Sequence, residues 1–367
     1  MTLATFQDLQ EVGAAERTTA ATDDETCWRL IANPGDYDKA YRPPLVSIVI
    51  TAHNYEEYVA QCLRSVHRQT YSRFECVVVD DCSRDDTRAV AEELIANWDD
   101  PRFRLVAPPH NLGQLGAQCY GFARTTGHFV VFVDADDLLL PAFVERHLYA
   151  HLNLPTVVGF TSSDQWNIDA AGAVLAFHHP DLIAGLQSGE GSHVVARAYQ
   201  GDERALEGVI FAPCGVKEGF GSWWWGTQST MMFRRDLLAT ILPDAADADA
   251  YRTCADFYLA RFAQLLSASA ILREALGSYR RHGRNNFCSN PLAAADVPVG
   301  DMRRHPRLEA FYSLALRVIE ARRETYLGML GQQRFEEFVA GFERQLIRSA
   351  PRPGNKRWLA PRRKSRM

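Results

Sequence analysis

The alternation of polar and apolar positions along this chain changes character partway through. From residue 45 to about 150, short unbroken apolar runs alternate with stretches whose apolar residues recur every three or four positions. "LVSIVITA" (45–52), "FECVVVDD" (74–81), "RFRLVA" (102–107) and "HFVVFVD" (128–134) read as strands buried on both faces. Between them, "EEYVAQCLRSVHRQ" (56–69) carries Val59, Cys62, Leu63 and Val66 at helical spacing, with Glu56 and Glu57 in its first turn. "DDTRAVAEELIANW" (85–98) puts Val90, Leu94, Ile95 and Trp98 on one face, with Ser83 or Asp85 as its cap. "LGQLGAQCYGFARTT" (112–126) is a third helix, closed near Gly127. Strands alternating with single helices require right-handed crossovers. They predict an α/β fold with a Rossmann-like, mostly parallel central sheet and flanking helices.

After about residue 155 the pattern loosens. "TVVGFTSSDQW" and "GAVLAFHH" predict further strands, and 180–220 is rich in loop residues. "GSWWWGTQSTMMFRRDLLATIL" gives an aromatic segment, a strand and a helix. "ADFYLARFAQLLS" (255–267) is an amphipathic helix. "HPRLEAFYSLALRVIEARRETYLGML" and "RFEEFVAGFERQLIRS" are two more, forming a helical C-terminal extension. Residues 1–43 are polar and weakly patterned, an N-terminal extension ending at Pro43-Pro44.

Composition narrows the function classes. A net charge of −5 and a pI near 6.1 give no support to a nucleic-acid binder. No apolar run approaches the roughly 18–20 residues that span a bilayer, and the N-terminus lacks the basic start and apolar core of a secretory signal. The eight cysteines are scattered without metal-ligand spacing and read as reduced core thiols. A cytoplasmic location fits these features. The tail "PRPGNKRWLAPRRKSRM" holds seven basic residues and no acid. It reads as a solvated end, with peripheral contact to anionic lipid at the inner membrane face as the alternative.

The chemistry gathers at strand ends. In a parallel sheet, ligands bind beyond the carboxyl ends of the strands. The first strand ends at Thr51, His53 and Asn54, and the second at Asp80 and Asp81. The third leads to Asn111, and the fourth ends at Asp134, Asp136 and Asp137. Four polar strand ends on one sheet edge predict a binding site. No G-x-G-x-x-G or Walker loop follows the first strand, so phosphate handling falls to a metal and basic side chains. Asp134 and Asp136, two apart on an extended chain, can face one hard cation such as Mg²⁺ or Mn²⁺. Asp80 or Asp81 is placed to accept a base N–H or a ribose hydroxyl.

"VSIVITAHNYEEYVAQCLRSVHRQTYSRFECVVVDDCSRDDT", followed by "HNLGQLGAQCYGFARTTGHFVVFVDADDLLLP", resembles the inverting nucleotide-sugar glycosyltransferases of family 2, of GT-A fold, over residues 45–150. That resemblance implies a donor that is a UDP-, dTDP- or GDP-linked sugar and a hydroxyl acceptor. Thr51, His53, Asn54, Asp80, Asp81, Asn111 and Asp134 would hold the nucleotide, and Asp136 with Asp134 the metal. His53 stands where the family usually has Tyr. Residues 44–150 would be the nucleotide-sugar half, 151–290 the acceptor and catalytic half, and 291–367 the helical region with its basic tail.

Downstream, "TQSTMMFRRDLL", "CADFYLARFA" and "GSYRRHGRNNF" match the family's later elements less tightly. Asp256 falls on the Asp of an E-D motif whose Glu is here Ala255. The resemblance makes Asp256 the general base, while its position also suits a helix N-cap. Arg281 or His282 would offset charge on the departing diphosphate. Three consecutive tryptophans, Trp223, Trp224 and Trp225, cannot all face a core from one strand, so at least one is expected to be exposed or to line an acceptor site. Two rivals stand beside this reading. One is a degenerate nucleotide- or glycan-binding protein without turnover. The other is a haloacid-dehalogenase-type phosphatase, which would carry its D-x-D on the first strand and Thr or Val where this chain has Leu138.

Overall fold

The four apolar runs become four parallel strands, β1 (Val46–Ala52), β2 (Phe74–Asp80), β3 (Phe103–Val106) and β4 (Phe129–Asp134). The computed structural model describes residues 43–154, 156–177, 194–195, 209–212, 225–244, 247–285 and 306–349. Helices α1 (Val59–His67), α2 (Thr87–Trp98) and α3 (Gly113–Phe122) make the crossovers, and the strands lie in the order β3-β2-β1-β4. The chain builds outward from β1 on one side, then crosses to its other side. The resulting switch point lies at the carboxyl ends of β1 and β4, where such sheets open a crevice. The register sets Thr51 beside Asp134 and Ala52 beside Asp80.

Local details differ from the sequence pattern. α1 starts three residues late, because Glu56–Tyr58 form a turn before it. Asp86 is the N-cap of α2, although the neighbouring Asp85 carboxylate accepts the Thr87 N–H at 3.1 Å. α3 ends at Phe122, well before Gly127. It packs so close to the sheet that a Cβ at Gly121 would sit 2.4 Å from Val49 Cγ1, and glycine is what permits the approach.

The second half is mixed. It holds β5 (Leu138–Leu139), α4 (Phe143–Asn153), β6 (Phe160–Asp169), β7 (Val174–Ala176), β8 (Val194–Val195) and β9 (Val209–Ala212). β10 (Met231–Arg234), α5 (Arg235–Ile241), α6 (Ala255–Leu266) and β11 (Ser269–Arg281) follow. β10 runs antiparallel between β4 and β6, and β11 lies parallel to β6 and antiparallel to β5 and β9. The parallel arrangement expected for the sheet therefore holds for its first half. The long strand β11 has no counterpart in the sequence reading, although it carries the site's last residues.

A buried histidine pair joins α4 to the sheet. His151 Nε2–H donates to the Met232 carbonyl at 3.1 Å, since a carbonyl only accepts. The Thr161 hydroxyl lies 3.2 Å from that nitrogen and 2.7 Å from His147 Nδ1. Burial holds His147 well below its ordinary pKa and pushes His151 down to about 3. Both groups therefore favour the native state above the unfolded value near 6.5, and that contribution is lost as pH falls. Asp134 and Asp137, whose pKa values are raised, act in the opposite sense. A comparison of variants separates the two effects. The stability advantage of wild type over His147→Leu is expected to shrink by about 2 kcal/mol between pH 6.5 and 5, read from melting curves at each pH. A constant gap would show that His147 takes up its proton as readily in the native state as in the unfolded chain, and that burial does not hold it neutral.

Helices α7 (Pro306–Ala321), α8 (Arg323–Leu330) and α9 (Gln332–Ser349) belong to a second compact unit. The single helix expected over 305–330 is interrupted at Arg322, which lies between α7 and α8. An aromatic cluster of Phe311, Tyr312, Phe338 and Phe342 holds α7 against α9. No described helix is long and apolar enough to cross a membrane. The N-terminal extension to residue 42 and the basic tail lie outside the described residues.

Candidate active site

The carboxylates at the end of β4 meet three different environments. Asp134 sits at the switch point, and its Oδ1 accepts from Gln114 Nε2 at 2.8 Å. Its backbone N–H donates to Ser229 Oγ at 3.1 Å. Burial, with the charge of Asp136 next, raises its pKa to about 7, against hydrogen bonds from Gln114 and Thr51 that lower it. The negative charge of Asp256 adds to the rise, so these two carboxylates feel each other across the site.

Asp136 is buried, and its Oδ2 lies 2.9 Å from His282 Nε2. His282 stacks on Tyr58 with ring centroids 5.0 Å apart and meets the edge of Tyr55. Burial and the charges of Asp136, Asp134 and Asp137 keep the Tyr55 phenol protonated, and it hydrogen-bonds Asp136. β5 is why this meeting occurs. The two residues after the acidic turn pair with Gly277 and Ser278, which draws the end of β11 alongside the carboxylates.

Asp137 is a tie between segments. It accepts from Ser229 Oγ at 2.6 Å and from the Arg280 N–H at 3.0 Å. The fully buried Arg280 side chain extends the tie. Its Nε donates to the Asp136 carbonyl at 2.8 Å, and its terminal nitrogens reach the Ala170 carbonyl at 2.9 Å and Gln61 Oε1 at 2.7 Å. Arg280 thus fixes the backbone of the acidic turn. Arg281 is partly buried. Of the two residues expected at the diphosphate, His282 faces Asp136 directly.

On the nucleotide side several expected ligands hold loops together. Asp81 is almost fully buried, and its carboxylate accepts from Leu112 N at 2.7 Å, Gly113 N at 2.8 Å and Asn111 Nδ2 at 2.8 Å. It serves the start of α3. Asn54 sits in the left-handed region (φ 61°), donates its N–H to Ser83 Oγ and accepts from Arg84 N through Oδ1 at 2.8 Å. Asn111 also receives the Arg252 guanidinium on its Oδ1. His53 is exposed, and its Nδ1 donates to the Asp81 carbonyl at 2.8 Å, which fixes the ring. Asp80, paired in register with Ala52, accepts from Ser83 N at 3.4 Å.

Asp256 is not the cap of its helix. The N-cap of α6 is Cys254 in the left-handed region (φ 64°), and Asp256 lies in the first turn, accepting the Phe257 N–H at 2.8 Å. Half-buried, it is oriented close enough to influence Asp134. Trp225, one of the three tryptophans named for the acceptor site, faces the core. It is 3% exposed, donates Nε1–H to Ser269 Oγ at 3.1 Å and packs against Phe160. Trp223 and Trp224 lie outside the described residues.

Sequence reasoning missed Gln114 and Ser229, and it took Arg280 only as part of a basic element at the diphosphate. The Ser of "TQST" and the first Arg of "YRRH" were in the quoted elements, but their partners lie on strands whose pairing only the fold reveals. The chemistry of the donor set suits a divalent cation: crowded carboxylates with an imidazole beside them. Among the described residues no three such groups close round one point. Mg²⁺ and Mn²⁺ commonly take only one or two carboxylates and complete their shell with water and diphosphate oxygens, so the residues fit.

Residues 47–194 match the model of glycosyl transferase family 2. An uncharacterized glycosyltransferase of Nostoc sp. is 31% identical over 256 residues, which cover 68% of this chain and 69% of that protein. The succinoglycan biosynthesis protein ExoO of Rhizobium meliloti is 32% identical over 152 residues, 41% of this chain and 37% of that one. Among solved structures, S. aureus TarS 1-349 in complex with UDP-GlcNAc aligns over 82% of this chain and 72% of its own, at 18% identity and a TM-score of 0.46.

Proposed function

This chain belongs to glycosyl transferase family 2 and is a glycosyltransferase, and on that premise we propose that it moves a sugar from a nucleoside-diphosphate donor to a hydroxyl acceptor with inversion. The observation that carries the reading is the convergence of Asp134 and Asp136 from β4, His282 from the end of β11 and Asp256 from α6 around one sheet edge. The acceptor hydroxyl attacks the anomeric carbon from the face opposite the diphosphate. Its proton passes to the Asp256 carboxylate as the C–O bond to phosphate breaks. His53 offers a ring face to the base, and Asp80 an acceptor for the base or ribose. Asp136 and Asp134, with His282 beside them, would hold a Mn²⁺ or Mg²⁺ ion, which when bound offsets charge on the leaving diphosphate. The name of the succinoglycan relative supports a polysaccharide or other cell-surface glycan as acceptor class.

The test is a binding screen of UDP, GDP and dTDP with Mn²⁺ or Mg²⁺, followed by their sugars. One nucleotide is expected to bind only with metal, and Asp136→Ala to weaken that binding by about 100-fold. Binding that ignores the metal and survives Asp136→Ala would remove the donor assignment.

A further inference from the structure

Gln114 stands between the two halves of the site. Its Nε2 donates to Asp134 Oδ1 at 2.8 Å, and its Oε1 accepts the Ala255 N–H at 3.0 Å, at the first residue of α6. The amide's orientation is forced, because the Ala255 backbone N–H only donates and must therefore meet the amide oxygen. A side chain with one donor and one acceptor at this reach is required, which glutamine supplies. The backbone strengthens the link: Gln114 N–H donates to the Arg252 carbonyl at 2.9 Å. Gly113, at φ +72°, approaches Arg252 so closely that a Cβ would lie 2.7 Å from its Cα. The loop entering α6 is thus held on the start of α3 at three points, and Ala255 is next to Asp256.

We propose that Gln114 is a positioning residue that sets the Asp256 helix against the donor carboxylate, so that the base is aligned only when Asp134 is in its donor-holding place. Resting on the glycosyl-transfer reading, it assigns different tasks to the two ends of one side chain. The Nε2 end orders Asp134 for the donor. The Oε1 end orders the first turn of α6 for the acceptor.

Substitutions that keep one end at a time test it. Gln114→Glu retains an oxygen for the Ala255 N–H and puts a second carboxylate against Asp134. Its Kd for UDP, GDP or dTDP (whichever wild type binds with Mn²⁺) is expected to rise about tenfold, with kcat at saturating donor within about threefold. Gln114→Lys retains a donor toward Asp134 and loses the acceptor, so binding is expected to stay within about threefold while kcat falls about tenfold. Gln114→Leu should lose both. A residue that merely props the loop would give equal losses in all three, tracking their melting temperatures, and that result overturns the proposal. If wild type binds none of the three nucleotides with metal, the glycosyl-transfer reading itself fails and takes the proposal with it.

Discussion

Asp256→Asn is expected to bind nucleoside diphosphate and metal as wild type does, while kcat falls by about 10²–10⁴-fold. The substitution is close to isosteric, and the amide oxygen can still accept the Phe257 N–H that Asp256 Oδ1 accepts at 2.8 Å, so α6 keeps its first turn. What it cannot do is take a proton. Loss of its charge also removes one of the influences that raise the Asp134 pKa, which favours the ionised donor carboxylate. Nucleotide binding should therefore hold or tighten slightly even as turnover collapses. Single-turnover transfer from the preferred donor, with binding measured in parallel, gives both quantities. Full activity in Asp256→Asn would mean that another group takes the proton. Wild type that binds donor but never turns it over would favour the binding-only alternative, for which Ala255 in place of Glu is the sequence argument.

Arg280→Met is expected to have the largest effect on stability. The guanidinium is fully buried, and its loss leaves the carbonyls of Asp136 and Ala170 and the Gln61 side chain without their donor. Asp136 is buried, whereas Ala170 and Gln61 are exposed and can turn to water. An orphaned buried acceptor costs about 1–3 kcal/mol, so the total is on the order of 2 kcal/mol. For a domain of this size that corresponds to a melting temperature lowered by about 4–8 °C. Arg280→Lys should recover little, because an ammonium cannot reproduce the planar fork that reaches three segments at once. A Met variant melting within a degree or two of wild type would show that Arg280 is not the clamp described here.

The features legible in the sequence share a physical cause. Strands buried on both faces must be apolar throughout, so β1, β2 and β4 were visible as runs, correct to within a residue or two at their ends. Their polar ends were visible for the same reason, since the apolar pattern stops where the strands reach buried polar groups at the sheet edge. β11 was hidden because it departs from regular strand periodicity. It shifts register at Leu272/Ala275 and again at Ala275/Gly277, and those bulges expose Arg273 and Glu274 in mid-strand. The division of labour among the acids was hidden too. Asp80 and Asp81 are adjacent, but which one faces a ligand depends on the N–H groups of Leu112 and Gly113, thirty residues away in sequence. Asp134 and Asp137 likewise differ only through Gln114, Ser229 and Arg280, none of which lies near them in the chain.

The bond from Arg280 N–H to Asp137 spans 143 residues. Contacts so far apart in sequence close late, after the local crossovers of the first four strands. During synthesis the acidic turn is therefore in place on β4 long before its clamp leaves the ribosome. Until residue 282 emerges, Asp136 lacks its histidine and Asp137 lacks an N–H donor. The nascent chain thus carries an acidic turn whose Asp136 and Asp137 are not yet held from β11, and the turn is completed only once that strand has been made.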